Sequence, residues 1–199
     1  NVLHEVRAIA ERAPARIVVR IVLDLLEGLG AAHELVDSRG QKTPIIHRDV
    51  SPQNVLVGVD GLSRGFDFGL AKAAVRAQET KQGHVKGKLV YMAPEQLRGE
   101  VSRRTDIYAA GIVLWELLAG RYAFAADAPV TDVIAARIVR PGRFARDLPS
   151  EVDDVVMRAL QREPEARYAT ALDMAAAIEQ TLGRASGTEV SEWVMRVAA

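Results

Sequence analysis

The stretch Thr105 to Ala119 is apolar almost all the way round a helical circumference. A helix with no polar face has to lie inside a core, so this segment is expected to be the hub around which the other elements pack. It is not a membrane crossing. Its most apolar part, Ile107 to Ala119, is interrupted by Glu116 and falls short of the ~20 residues that a span needs.

The elements that could surround such a hub are visible in the hydrophobic period. Ile17, Val18, Ile21, Val22, Leu25, Leu26, Leu29, Ala32 and Val36 recur at steps of three and four, which predicts a long amphipathic helix over 17–36. A shorter helical pattern, Val2 to Arg12, precedes it, and Ser38 to Pro44 breaks it off. The period then changes. Ile45-Ile46, Val55 to Val57 and Leu62 to Phe66 are short apolar or β-branched runs split by Pro52, Gly58, Asp60-Gly61 and Gly65, so small β-elements joined by tight turns are expected. Residues 71–90 are polar, basic and aperiodic, the pattern of a long loop. Helices are predicted over 130–139, over 150–161 behind the Pro149-Ser150 start signal, and over 171–182 before Gly183. A last short stretch, Glu189 to Val197, follows the Ser186-Gly187 break. The expected class is mainly α with a small β patch in the first third.

Charge and cysteine content exclude several functions. The 199 residues carry 26 Lys and Arg against 26 Asp and Glu, which is the wrong balance for a protein that coats nucleic acid or anionic lipid. There is no cysteine, hence no disulfide framework and no thiolate metal site, and a reducing compartment suits the chain. It opens on Asn1 without a basic-then-apolar leader, so it is read as a piece of a longer gene product.

The densest chemistry lies in Ile46-His47-Arg48-Asp49-Val50-Ser51-Pro52-Gln53-Asn54, followed by Asp67-Phe68-Gly69 and Ala93-Pro94-Glu95. Asn54 stands five residues after Asp49, Asp67 eighteen after Asp49, and Glu95 twenty-eight after Asp67. In letters and spacing the three resemble the catalytic loop, the metal-binding triplet and the end of the activation segment of the protein-kinase family. The resemblance implies a kinase-like C-lobe over residues 1–185 with a short extension over 186–199. It also implies ATP and Mg²⁺ as cofactors, protein substrates as partners, and a cytoplasmic domain. Asp49 would accept the substrate hydroxyl proton. Asn54 and Asp67 would bind the nucleotide's Mg²⁺ through hard oxygen ligands, and Leu56 would form the floor under the adenine. His47 is expected to be a packed structural residue. Asp106, opening the buried helix, would brace the catalytic loop, and Arg167 would form an ion pair with Glu95.

Two positions depart from the family pattern. Ser51 stands where most Ser/Thr kinases have a lysine, and Lys88 stands where they have a threonine, so Lys88 is expected to return the ammonium beside Asp49 while Ser51 gives the hydroxyl contact to Asp49. Arg48 calls for an anionic partner, and Thr80 is the expected activating phosphosite, since Thr80 and Tyr91 are the only hydroxyl side chains between Asp67 and Glu95. Only 46 residues precede His47, fewer than the roughly 80–100 that an N-terminal lobe needs. The chain is therefore expected to be the C-lobe of a Ser/Thr protein kinase similar to bacterial eukaryotic-like kinases, inactive alone, with its own N-lobe as a missing partner and with neither a nucleic-acid partner nor a membrane segment of its own. Two other readings stay open. A pseudokinase or scaffold is opposed by the intact Asp49, Asn54 and Asp67, and a small-molecule phosphotransferase has no reason to keep a long segment ending in Ala93-Pro94-Glu95.

Three near-motifs are set aside. Gly28-Leu29-Gly30 lies within a helical pattern and lacks the third glycine of a dinucleotide loop; Gly83 to Leu89 has one residue too few between its glycines for a phosphate loop; and His33-Glu34 has no second histidine four places on.

Overall fold

A computed structural model describes residues 13–67, 89–124, 131, 133, 135 and 137–198. The expected helix over 2–12 and all but the end of the 71–90 loop lie outside them.

Helix α1, Ala15–His33, starts after Pro14, whose carbonyl accepts from the Ile17 and Val18 amides. The expected apolar stripe is buried, and so are Val19 and Leu23 on the other side, because α1 is covered on several faces by its neighbours. It ends three residues before Val36. The Asp37 carboxylate accepts from the Arg39 and Gln41 amides at 2.8 and 2.9 Å and folds the chain into a tight loop. Val36 is thereby turned out to solvent and bridges Lys42.

The β patch is a single hairpin. Strands β1, Val55–Val57, and β2, Ser63–Gly65, pair antiparallel with Val55 opposite Gly65 and Leu56 opposite Arg64. The hairpin is tied to α1 by the Ser63 amide, which donates to Asp24 at 2.8 Å. No strand forms at Ile45-Ile46. The Ile45 amide donates instead to the Ala32 carbonyl at the end of α1, so these two apolar residues follow the helix end and not a sheet partner.

Helix α2, Arg103–Ala119, is the expected hub, with every residue from Thr105 to Leu118 buried. Ser102 caps it reciprocally with Thr105, and Gly120 ends it in the left-handed conformation (φ 65°) that glycine adopts without strain. Around it pack α1, α3 (Ser150–Ala159) and α4 (Ala171–Leu182). Gly30 lies where α1 meets α4. A Cβ there would stand 3.0 Å from the Leu172 side chain, so Gly28-Leu29-Gly30 is a packing feature.

Residues 187–198 form α5, Gly187–Ala198, whose Val190, Trp193, Val194 and Val197 are buried in the same core cluster as α1 and α2. The Ser191 hydroxyl donates to the Val59 carbonyl at 2.6 Å, and a Cβ at Gly61 would run into the Gly187 backbone, so α5 also props the hairpin turn. Most of the helix expected over 130–139 lies outside the described residues, and 137–140 are irregular.

Candidate active site

The segment from His47 to Asn54 leads directly into β1, and much of what holds it acts on its backbone. Asp106, in the first turn of α2 and 1% exposed, accepts the His47 amide on Oδ2 and the Arg48 amide on Oδ1, each at 2.8 Å. His33, the last residue of α1, donates its Nε2 proton to the same Oδ2 at 2.8 Å. Asp106 thus holds two successive backbone amides just before Asp49. No local motif pairs His33 with Asp106, since the two lie 73 positions apart in the chain.

Arg48 has φ 65°, a conformation that costs a non-glycine residue on the order of 1 kcal/mol or more. Both of its backbone polar groups are held by side chains: the N–H by Asp106, and the carbonyl by the Gln96 amide nitrogen at 2.8 Å. Gln96 belongs to the 3-10 turn Gln96–Arg98, directly after Ala93-Pro94-Glu95. The strained peptide before Asp49 is therefore gripped from two elements, and no local motif marks Gln96 for that role.

His47 is 1% exposed, with Nε2 3.1 Å from the Phe66 carbonyl and Nδ1 accepting the Asp49 amide at 3.3 Å. The tautomer protonated on Nε2 satisfies both contacts, so the ring is packed with both nitrogens hydrogen-bonded.

The half-buried Asp49 is fixed from the other side by Asn54, whose Nδ2 donates to the Asp49 carbonyl at 2.7 Å and to its carboxylate Oδ2 at 3.3 Å. With the amide nitrogen so committed, Asn54 Oδ1 accepts no hydrogen bond among the described residues. The hairpin brings Asp67 alongside. Val55 pairs with Gly65, and the Phe66 amide donates to the Asn54 carbonyl at 3.1 Å. Asp67 is exposed, with φ 61°, a region that aspartate tolerates better than most residues. An uncommitted amide oxygen beside an exposed carboxylate fits Mg²⁺, which takes few protein oxygens and keeps its other positions for phosphate and water. Among the described residues no group of three or more His, Cys, Asp or Glu could hold a metal by itself.

Ser51 corrects the expectation made of it. It is 3% exposed and its hydroxyl has no hydrogen-bond partner, so the contact to Asp49 is not made. Its backbone carbonyl instead takes the Asn54 amide at 2.9 Å, closing the turn Pro52–Asn54. Thr80 and Lys88 lie outside the described residues, as do Phe68 and Gly69. Leu56 is 57% exposed on the outer face of β1.

Glu95 and Arg167 form a bidentate pair at 2.7 and 2.8 Å, both buried. The other guanidinium protons go to the carbonyls of Arg104, Gln161 and Arg162, so all five donors are used. The guanidinium also lies 4.8 Å from the Tyr108 ring centroid. Burial pushes the Tyr108 phenol well above its usual range. This pair anchors Ala93-Pro94-Glu95 to the first turn of α2. Towards the other end of α2, the Tyr91 hydroxyl donates to the buried Glu116 at 2.9 Å.

Comparison with known proteins agrees with this geometry. Residues 3–180 match the family described as protein kinase domain. The chain is 41% identical over 173 residues to the tyrosine-protein kinase MasK of Myxococcus xanthus, covering 85% of this chain and 27% of that protein. It is 34% identical over 170 residues to the serine/threonine-protein kinase PknL of Mycobacterium tuberculosis, covering 83% of this chain and 41% of that one. The PknI kinase domain of Mycobacterium tuberculosis superposes with a TM-score of 0.65 at 26% identity, over 92% of this chain and 61% of that domain. The chain thus spans well under half the length of these curated relatives. Its mostly helical fold with one hairpin is that of the lower part of a kinase domain, and the chain belongs to the protein kinase family.

Proposed function

We propose that the chain is the C-lobe of a Ser/Thr protein kinase in which Asp49 positions the acceptor hydroxyl and takes its proton as the oxygen attacks the terminal phosphorus of ATP. The observation that carries this reading is the Asn54 side chain, which holds Asp49 with its nitrogen while leaving Oδ1 uncommitted, on a residue whose backbone carbonyl accepts from Phe66, the neighbour of Asp67. Asn54 Oδ1 and the Asp67 carboxylate would hold Mg²⁺, which supplies charge neutralisation on the phosphates. The exposed Leu56 suits an adenine floor whose roof belongs to an N-lobe. On this reading the chain alone does not turn over, and the whole protein acts on protein substrates in the cytoplasm, where ATP is found, as part of a signalling response. Arg48 as the docking point for phosphorylated Thr80, and Lys88 as the ammonium that replaces a lysine at Ser51, are carried by the sequence alone. The domain limit after residue 185 is likewise a proposal.

Phosphotransfer by the full-length protein to a generic protein acceptor tests the reading, with Asp49→Asn as the control. Loss of about 10²-fold or more is expected, and undiminished activity refutes it. The 41% identity to a protein named as a tyrosine kinase supports tyrosine as the second acceptor, and phosphoamino-acid analysis of the product separates the two.

A further inference from the structure

At the far end of α2 the surface carries a concave site that phosphotransfer does not use. Gly120 turns the chain after Ala119, and residues 120–124 come back beside the 137–144 segment. They leave a cavity of about 500 Å³ lined in part by Trp115, Arg121, Tyr122, Arg137, Val139 and Phe144. Its floor is preformed. Trp115 is 2% exposed, its indole nitrogen donates to the Val139 carbonyl at 2.6 Å, and the Phe144 ring meets it edge-on with centroids 5.7 Å apart. Its mouth is apolar and open, with Tyr122, Val139 and Phe144 about half exposed.

The lining is also cationic. Among the described residues that line it are two arginines and no carboxylate, although the whole chain has net charge zero. Arg121 stacks on Phe144 at 4.5 Å, which leaves the N–H edges of its guanidinium for an anion. Arg137 is exposed and has no ion pair among the described residues. Exposed Arg143 and Arg146 flank Phe144 in sequence, whereas Arg140 is engaged by Asp154. The acid adjoining the site, Glu116, is buried and accepts from Tyr91 and from the Ala123 amide.

We propose that this groove docks an acidic linear segment of a protein partner, with one aromatic side chain seated against Tyr122 and Phe144 and its neighbouring carboxylates on Arg121 and Arg137. Asp106 lies nine residues earlier on the same helix, about 14 Å away along its axis, so a docked segment does not cover the catalytic loop. Binding here does not depend on the phosphotransfer reading.

The test is fluorescence anisotropy of the full-length protein with a short labelled peptide of Glu and Asp around one central Phe. Saturable binding is expected. It should weaken about tenfold with Arg121→Glu, with Arg137→Glu, or with a peptide whose Phe is replaced by Ser. Arg121→Lys should retain most of it, and Arg39→Glu, on the distant loop after α1, should change nothing. Circular dichroism confirms that each variant is folded. The proposal is overturned if no saturable binding occurs, if the Phe-free peptide binds equally well, or if Arg39→Glu weakens binding as much as Arg121→Glu does. Phosphotransfer to a neutral peptide, measured alongside, reports on the catalytic reading independently.

Discussion

Replacing Arg167 by methionine removes the cation and all five donors while keeping much of the apolar stem. Glu95, 3% exposed, would keep one weak contact, the Thr105 hydroxyl at 3.3 Å. An uncompensated buried carboxylate costs about 3–5 kcal/mol. The carbonyls of Arg104, Gln161 and Arg162 also lose their donor, at about 0.5–1.5 kcal/mol each. That loss is comparable with the ~5–15 kcal/mol stability of a whole domain. Arg167→Met should therefore be unfolded or nearly so, while the double variant Glu95→Leu with Arg167→Met, which leaves no buried charge, should recover at least half of the loss. Urea unfolding followed by the fluorescence of the two buried tryptophans, Trp115 and Trp193, measures both. With slopes of ~1–3 kcal/mol per molar, the single variant should lower the midpoint by more than about 1 M. A shift worth under ~1 kcal/mol, or a double variant no better than the single, refutes the argument.

Tyr108→Phe should stabilise the chain by about 1 kcal/mol, because the buried hydroxyl has no partner and its desolvation is uncompensated; a lower melting temperature would contradict this. The same phenol has its pKa raised by burial above the ordinary 10.0. Its contribution is therefore complete below that pH and is lost as the unfolded chain begins to ionise above it, so wild type should lose alkaline stability more steeply than Tyr108→Phe. On the proposed phosphotransfer reading, Gln96→Ala should lower kcat of the full-length protein about ten- to a hundredfold with KM little changed, because the Arg48 carbonyl loses its grip and Asp49 its aim; unchanged kcat would show that Asp106 suffices. Glu189 caps α5 through the Ser186 amide at 2.7 Å, which holds its carboxyl below the usual range. Its contribution is present above the ordinary value of 4.5 and lost as pH falls through the lowered one. Glu189→Ala should thus be less stable than wild type at neutral pH, with the difference closing in acid, and a gap that persists in acid would place the effect elsewhere.

These outcomes divide according to how far each interaction reaches along the chain. The hub helix, the stripe on α1 and the hairpin could be read from sequence because period and turn residues are local, and a packed His47 needed only its motif. The end of α1 was misplaced because Val36 continues the apolar step, while the turn that overrides it depends on the Asp37 carboxylate reaching two amides beyond it. The reciprocal Ser186–Glu189 box at the start of α5 is local, but it sits in a Ser-Gly break whose polar spacing has the pattern of a linker.

The site divides in the same way, with Asp49, Asn54, Asp67 and Glu95 marked by motif and spacing, Asp106 and Arg167 by the family resemblance alone, and His33 and Gln96 unmarked. A histidine ending one helix and a glutamine opening a short turn carry no pattern of their own, and their partners lie 73 and 48 positions away. Arg48 shows why that matters. Taken alone, an arginine before Asp49 would avoid φ 65°, and no local preference pulls it there. The conformation persists because Asp106 takes its N–H and Gln96 its carbonyl, and because His33 shares the same Asp106 carboxylate. The aim of Asp49 is thus set by the end of α1, the start of α2 and the turn after Glu95 acting on one peptide. Displacing any of the three should be felt at the carboxylate without a change in any residue that touches substrate.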